Sequence, residues 1–136
     1  MLPSERAPMN ASYRDLVVWQ LSVDLALGVY RCTKTFPRDE TYGLVSQMRR
    51  AAVSVPSNIA EGKGRYSRKE LVQFLFHARG SLLELQTQIT IAQRLGYLAE
   101  VDASELETQS GEVGRLLNGL VHCFKQTPAS DLDTEA

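Results

Sequence analysis

The chain has 136 residues, of which 43% are hydrophobic and 23% are charged, and its formal net charge is −1. This length predicts one domain, and the composition is ordinary for a soluble protein. No stretch approaches the roughly 18 uninterrupted apolar residues of a membrane span, and the N-terminus MLPSERAPMN lacks the apolar core of a secretion signal. We therefore expect a cytoplasmic protein without membrane contact, in which Cys32 and Cys123 are reduced.

The first predicted helix follows a polar segment. Residues 1–12 contain Pro3 and Pro8, and we expect them to be flexible. Asp15 is the predicted N-cap of a helix that continues to about Thr35, because apolar residues follow it at steps of three and four. Pro37 ends this helix, since the residue before a proline is disfavoured in the helical region.

The second predicted helix has a proline in its interior. It begins near Asp39 or Glu40, where acidic side chains favour the positive end of the helix dipole, and glycines in the left-handed conformation end it within residues 62–64. Pro56 removes one amide donor from its middle, which costs about 3 kcal/mol in an ordinary helix. We therefore predict a kink at Pro56 and a carbonyl of Ala52 that has lost its helical partner.

A capping box starts the third predicted helix. Ser67 and Glu70 are three residues apart, so that each side chain can satisfy the other's free amide. The helical period then continues to about Leu95, where Gly96 is the predicted stop. Gly80 is unfavourable in the middle of a helix by about 1 kcal/mol, which predicts the close approach of a neighbouring helix.

The fourth predicted helix completes an all-α fold. Asp102 is its expected N-cap, Thr127 and Pro128 end it, and the acidic tail of residues 127–136 is expected to be disordered. No segment has the period of two that is typical of strands. Four helices of similar length with short connections predict an antiparallel up-down-up-down four-helix bundle over residues 13–126.

Polar residues form a stripe around Pro56 at helical spacing. They lie at steps of four, four and three and are Arg50, Ser54, Asn58 and Glu61. Two interpretations remain open. The stripe can line a binding groove, or it can form a structural polar seam with Ser81 and Glu84 of the third helix, because buried polar groups must be paired. In the second case we expect Glu84 to pair with an arginine and Asn58 to bind the backbone that Pro56 frees.

The segment GKGRYSRK, residues 62–69, is the predicted site for nucleic acid or another anion. It places four cations around one aromatic ring, a combination suited to phosphate contacts and base stacking, and these residues are Lys63, Arg65, Tyr66, Arg68 and Lys69. The helix N-terminus at Ser67 adds amide donors. An ordinary solvated turn is the alternative. Residues 38–79 carry eight basic and four acidic side chains, whereas the rest of the chain carries seven and twelve.

The sequence does not predict an enzyme. His77 and His122 lie alone on their helices, and no Glu-x-x-His pair of the kind that binds metals in bundles is present. Adjacent helical residues face different directions, so His122 and Cys123 make a poor shared metal site. We therefore predict no catalytic residues, no metal and no cofactor.

The chain resembles the four-helix-bundle family of 23S rRNA intervening-sequence proteins over about residues 13–122. The string SVPSNIAEG is the most specific part of the resemblance. The matching residues are Leu16 to Trp19, Phe36-Pro37, Tyr42-Gly43-Leu44, Gln47, Arg49-Arg50-Ala51-Ala52, Ser54, Pro56, Asn58 to Gly62, Arg65, Gly80-Ser81, Glu84 and Gly96-Tyr97-Leu98. The resemblance implies a bundle that assembles as a homopentamer and has no enzymatic activity. It also implies a link to nucleic acid, because a relative, the accessory protein of diversity-generating retroelements, binds nucleic acid through a basic surface.

The resulting functional hypothesis is a non-catalytic, homo-oligomeric and pentameric scaffold that binds RNA, DNA or a nucleic-acid enzyme. The alternative is a protein-interaction adaptor without nucleic-acid contact. Self-association is expected because the bundle core cannot hold every large apolar residue. Several of the following are therefore expected at subunit contacts: Tyr13, Val17, Val18, Tyr30, Phe36, Tyr42, Phe76 and Tyr97.

Overall fold

The computed structural model describes residues 12–125, and it is an all-α four-helix bundle over this range. The helices are α1 (Val17–Thr33), α2 (Leu44–Lys63), α3 (Arg68–Arg94) and α4 (Glu100–Lys125). Single turns of 3-10 helix at Tyr13–Asp15 and Arg38–Glu40 precede α1 and α2. The predicted flexible segment at residues 1–12 lies outside the described residues except for Ser12, and the predicted disordered tail at residues 127–136 lies wholly outside them.

The helices are packed in a square. Contacts join α1 to α2, α2 to α3, α3 to α4 and α4 back to α1. Short connections between consecutive neighbours make the arrangement antiparallel, up-down-up-down, as the sequence predicts. The bundle therefore has two ends: the α2–α3 turn, the start of α1 and the end of α4 lie together, and the α1–α2 and α3–α4 connections lie at the opposite end.

One apolar core runs through the bundle. Every helix contributes fully buried side chains to it, among them Leu25, Met48, Leu85 and Leu117. Val18 and Phe36, two of the residues considered for subunit contacts, also belong to this core. Within residues 12–125 no helix is long and apolar enough to cross a bilayer.

Three predicted helix starts are wrong by a few residues. Asp15 lies in the 3-10 turn, and the N-cap of α1 is Leu16, without a side-chain cap bond. Asp39 and Glu40 also lie in a 3-10 turn, because the helix proper begins only at Leu44. Asp102 lies inside the first turn of α4, where a carboxylate stabilises the dipole without capping the helix.

The third helix begins at the predicted N-cap and ends at the predicted glycine, but within residues 12–125 only the serine half of the predicted capping box forms. Ser67 is the N-cap of α3, and its Oγ accepts a 3.2 Å hydrogen bond from the amide of Glu70. After α3, Gly96 has φ +79°, and the amide of Tyr97 donates to the carbonyl of Ala92. This is the bonding pattern of a glycine-terminated helix, in which only glycine adopts the left-handed conformation without strain.

Glycines at the helix contacts differ from the prediction. Gly80 has open space where a Cβ would lie, so the close approach predicted there is wrong within one chain. Gly62 is the close contact instead: a Cβ on it would lie 2.8 Å from Cβ of Phe74. Gly62 is inside α2 and Gly64 has φ −84°, so neither terminates α2 in the left-handed conformation. Pro56 is buried within α2, which continues through it, and the kink stays a prediction.

Candidate functional site

Three residues of the predicted polar seam contact one another between α2 and α3. Ser54 Oγ and Ser81 Oγ lie 2.8 Å apart and share a hydrogen bond. Asn58 Nδ2 donates to the carbonyl oxygen of Ser54 at 2.8 Å and to Ser54 Oγ at 2.9 Å. The acceptor of Asn58 is therefore Ser54, and the expectation that Asn58 binds the carbonyl freed by Pro56, that of Ala52, is wrong.

The other seam residues have different surroundings. Arg50 and Glu84 are exposed and line a groove of about 250 Å³ above the two serines. The predicted ion pair of Glu84 with an arginine is absent from residues 12–125. A carboxylate oxygen of Glu61, in the last turn of α2, lies 3.6 Å from the guanidinium of Arg65 instead.

The basic residues of the α2–α3 turn are held by aromatic rings. The guanidinium of Arg65 lies 4.6 Å from the ring centre of Phe74, and that of Arg68 lies 5.9 Å from the ring centre of Phe124. Such contacts restrict the arginine side chain, while the N–H groups in the plane of the guanidinium remain able to donate hydrogen bonds. Tyr66 projects from the turn with 94% of its surface exposed.

Two further cations lie beside the ring of Phe76 in α3. Arg79 lies 4.7 Å and the ammonium of Lys125 lies 5.4 Å from the ring centre of Phe76. Arg79 also donates a 3.2 Å hydrogen bond to Asn118 Oδ1. Phe76 and Arg79 are three residues apart on one helix, so their contact could have been predicted from the sequence. The position of Lys125 depends instead on how α4 packs against α3.

We call this surface the basic pole, which comprises Lys63, Arg65, Arg68, Lys69, Arg79 and Lys125. Lys63 ends α2, Arg65 lies in the following turn, Arg68, Lys69 and Arg79 lie in the first half of α3, and Lys125 ends α4. The acidic side chains at this end of the bundle include Asp15, Glu61 and Glu70, and Glu61 pairs with Arg65. The basic pole is thus a cationic surface on a chain whose net charge is −1.

A second surface feature is a groove between the outer faces of α1 and α2, which we call the α1–α2 groove. It has a volume of about 630 Å³, and its lining residues are Tyr30, Thr41, Tyr42, Val45, Ser46, Arg49, Arg50, Val53 and Ser54. Arg49 is fixed in its wall: its guanidinium lies 4.6 Å from the ring centre of Tyr30, and its Nε donates to Thr33 Oγ1 at 2.9 Å.

A smaller cavity of about 260 Å³ lies beside Cys32 between α1 and α4. Burial raises the pKa of the Cys32 thiol, and the nearby carboxylates of Asp102 and Glu105 raise it further. A raised pKa lowers the fraction of thiolate, which is the reactive form. Within residues 12–125 no three His, Cys, Asp or Glu side chains are arranged to hold a metal ion.

The comparisons with known proteins concern the family and the fold. The model of the family "23S rRNA-intervening sequence protein" matches residues 14–119. The fold is similar to a 1.70 Å crystal structure of a protein of unknown function from the S23 ribosomal protein family of Bacteroides thetaiotaomicron. That similarity has a TM-score of 0.70 at 20% sequence identity and covers 77% of this chain and 98% of the other. No curated protein matches the sequence significantly.

Proposed function

Because the chain belongs to the 23S rRNA-intervening sequence protein family, we propose that it is a non-catalytic, self-associating scaffold of the cytoplasm that binds nucleic acid through its basic pole. The observation that carries this proposal is the run of Lys63, Arg65, Arg68 and Lys69 on either side of the exposed Tyr66, with Arg79 and Lys125 further along beside Phe76. Cations beside an exposed aromatic ring are the chemistry by which single strands are bound.

The bracing of the cations supports nucleic acid as the ligand. Arg65 and Arg79 each stack on a phenylalanine within 4.7 Å, so part of their side-chain freedom is already lost before a phosphate arrives. Binding then costs less ordering entropy than it would for free side chains. Within residues 12–125 Tyr66 has no such ring contact, and its exposed ring can stack on a base.

Self-association is supported by apolar side chains at the surface of the single chain. Val17, Leu27, Tyr42, Leu83 and Val101 are each more than half exposed. Single exposed apolar residues are common on monomers, so the support comes from the place where such residues lie together, as Tyr30, Tyr42 and Val53 do in the α1–α2 groove. The pentamer itself rests on the family resemblance, and five copies of the basic pole would turn weak contacts into a tighter combined one.

The non-catalytic part of the proposal rests on the family resemblance. Within residues 12–125 the pKa values of Cys32 and Tyr97 are raised. The first has a buried thiol, and the second donates to a carboxylate that also accepts a helix amide. Both shifts therefore have a structural cause.

One observation favours the alternative of a protein-interaction adaptor. The α1–α2 groove combines Tyr30 and Tyr42 with Arg49 and Arg50, and tyrosine and arginine are enriched at the energetic centres of protein interfaces. This alternative predicts protein binding that is unaffected by changes in the basic pole.

Retention of a fluorescent single-stranded RNA, measured at about 50 mM salt and then at rising salt, tests the proposal. We expect binding whose logarithm falls linearly with the logarithm of the salt concentration. The double variant Lys69→Glu/Lys125→Glu should lose it. The matched control Arg31→Glu/Lys34→Glu changes the same charge at the opposite end of the bundle and should retain it. Wild-type protein that does not bind at low salt, or equal losses in both variants, would exclude the basic pole as the site.

A further inference from the structure

The α1–α2 groove has the composition of an incomplete protein interface. Tyr30, Tyr42 and Val53 line it with 40%, 96% and 42% of their surfaces exposed. Arg49 and Arg50 stand beside these apolar groups, and within residues 12–125 neither forms an ion pair with a carboxylate. The groove therefore offers an apolar floor with a positive rim.

A surface with the opposite charge lies on the first turns of α4. Val101 projects there with 72% of its surface exposed. It lines a shallow concavity with Glu100, Ser104 and Glu105, and we call these four residues the Val101 surface. This surface offers an exposed apolar side chain between two carboxylates, which is complementary to the groove in charge.

The two surfaces lie at nearly the same height along the bundle. Both α2 and α4 start at the same end of the molecule, at Leu44 and Glu100 respectively. Arg50 is six residues into its helix and Glu105 is five residues into its own, so their heights, counted from the helix starts, differ by about 1.5 Å at a rise of 1.5 Å per residue. A rotation about an axis parallel to the bundle, with little translation, can therefore bring one surface to the other.

We propose that the Val101 surface of one copy docks into the α1–α2 groove of the next copy. Val101 packs on the tyrosine rings, and the carboxylate of Glu105 faces Arg50. This inference rests on the self-association in the proposed function and names the surfaces that carry it.

The contact is heterologous, because two different surfaces of the same chain meet in it. Repeated contacts of this kind close into a ring when the rotation allows and otherwise form a filament. Because the two surfaces lie at nearly equal height, closure is favoured. The charge complementarity selects a second copy as the occupant, since the chain itself supplies the acidic surface that complements the groove.

A charge exchange between Arg50 and Glu105 tests the pairing, with molar mass measured by light scattering over a range of concentrations. Arg50→Glu and Glu105→Arg should each weaken association at least tenfold, because each places like charges opposite each other. The double variant Arg50→Glu/Glu105→Arg should recover most of the loss. The controls Arg115→Glu and Glu112→Arg make the same charge changes on the exposed face of α4 outside the Val101 surface and should associate as the wild type does.

The outcomes separate this inference from the proposed function. A wild-type protein that is monomeric at high micromolar concentration refutes the self-association itself. An oligomer that both single variants leave intact, or losses without recovery in the double variant, overturns the pairing alone. Circular dichroism on each variant confirms that the helices are retained. Loss of the oligomer only in Leu83→Glu would assign the contact to the outer face of α3 instead and would also overturn the pairing.

Discussion

The hydroxyl of Tyr97 donates a 3.0 Å hydrogen bond to Oε2 of Glu40. The other carboxylate oxygen, Oε1, accepts from the amide of Leu44 at 3.1 Å. One side chain thus satisfies a free amide at the start of α2 and holds the turn that follows α3. The same turn is fixed from the other side by the ring of Tyr97, which lies 5.6 Å from that of Phe36.

Tyr97→Phe should lower the melting temperature at neutral pH, because it removes this donor while leaving the ring packing. The pKa of Tyr97 is raised mainly by the hydrogen bond to Glu40 and to a smaller extent by desolvation and by the charges of Glu40 and Asp39. Because the pKa of Tyr97 is higher in the folded than in the unfolded state, the stability that this hydrogen bond contributes is complete below the ordinary tyrosine pKa of about 10. It is lost as the pH rises through the raised pKa. Thermal melts of both proteins from neutral to alkaline pH should therefore converge, and a constant difference would contradict this assignment.

Ser54→Ala should destabilise the bundle by about 1 kcal/mol, because it leaves Ser81 Oγ and one donor position of Asn58 without their partner. Ser81→Ala should cost about the same. The double variant should cost less than the sum, since both single changes remove the same hydrogen bond. Urea unfolding of all four proteins measures this coupling, and strict additivity would mean that the serines act independently.

Gly62→Ala and Gly80→Ala should change stability in opposite directions. A Cβ on Gly62 would lie 2.8 Å from Cβ of Phe74, which has no rotamer by which to move away. We expect a net loss of about 1–3 kcal/mol from the displaced helices. Gly80 has no atom within 4 Å of an added Cβ, so alanine there should gain about 0.5–1 kcal/mol of helix stability. Denaturant midpoints measure both, and stabilisation by Gly62→Ala would contradict the close packing.

Tyr66→Ala should weaken single-stranded RNA binding without affecting the fold. Tyr66 is 94% exposed, so its removal should change the free energy of unfolding by less than about 0.5 kcal/mol. A ring that stacks on one base contributes about 1–3 kcal/mol to binding. Leu95→Ala is the control, because Leu95 is 54% exposed, lies at the other end of the bundle and belongs to neither surface proposed for self-association. Fluorescence anisotropy measures both variants, and equal affinities would exclude stacking at Tyr66.

Cys123 should react with a thiol reagent much faster than Cys32. Cys123 is exposed, whereas Cys32 is half-buried and burial, Asp102 and Glu105 raise its pKa. At mildly alkaline pH a disulfide reagent should therefore give one fast and one slow phase, and Cys123→Ser should remove the fast phase. A fast phase that survives Cys123→Ser would contradict the assignment.

Signals within a few neighbouring residues predicted the ends of α3 correctly. Ser67 and Gly96 act through amides and carbonyls of the adjacent turn, so their effect can be read from the local sequence. The predicted start of α2 is wrong because Glu40 acts on an amide four residues further along the chain. Its carboxylate accepts from the amide of Leu44, while its own backbone lies in a 3-10 turn. Acidic residues near a helix start therefore predict its electrostatics better than its first residue.

The sequence by itself determined that this chain forms four amphipathic helices around one core, because periodicity and chain length leave few other ways to bury the apolar stripes. Only the tertiary structure decided which side chains meet across those helices. Ser54 shares a hydrogen bond with Ser81, and Lys125 lies beside the ring of Phe76. Among the described residues Glu84 forms no ion pair with an arginine. Such contacts depend on the rotation of each helix about its axis and on its height against its neighbours, and both are set by the packing of the whole core.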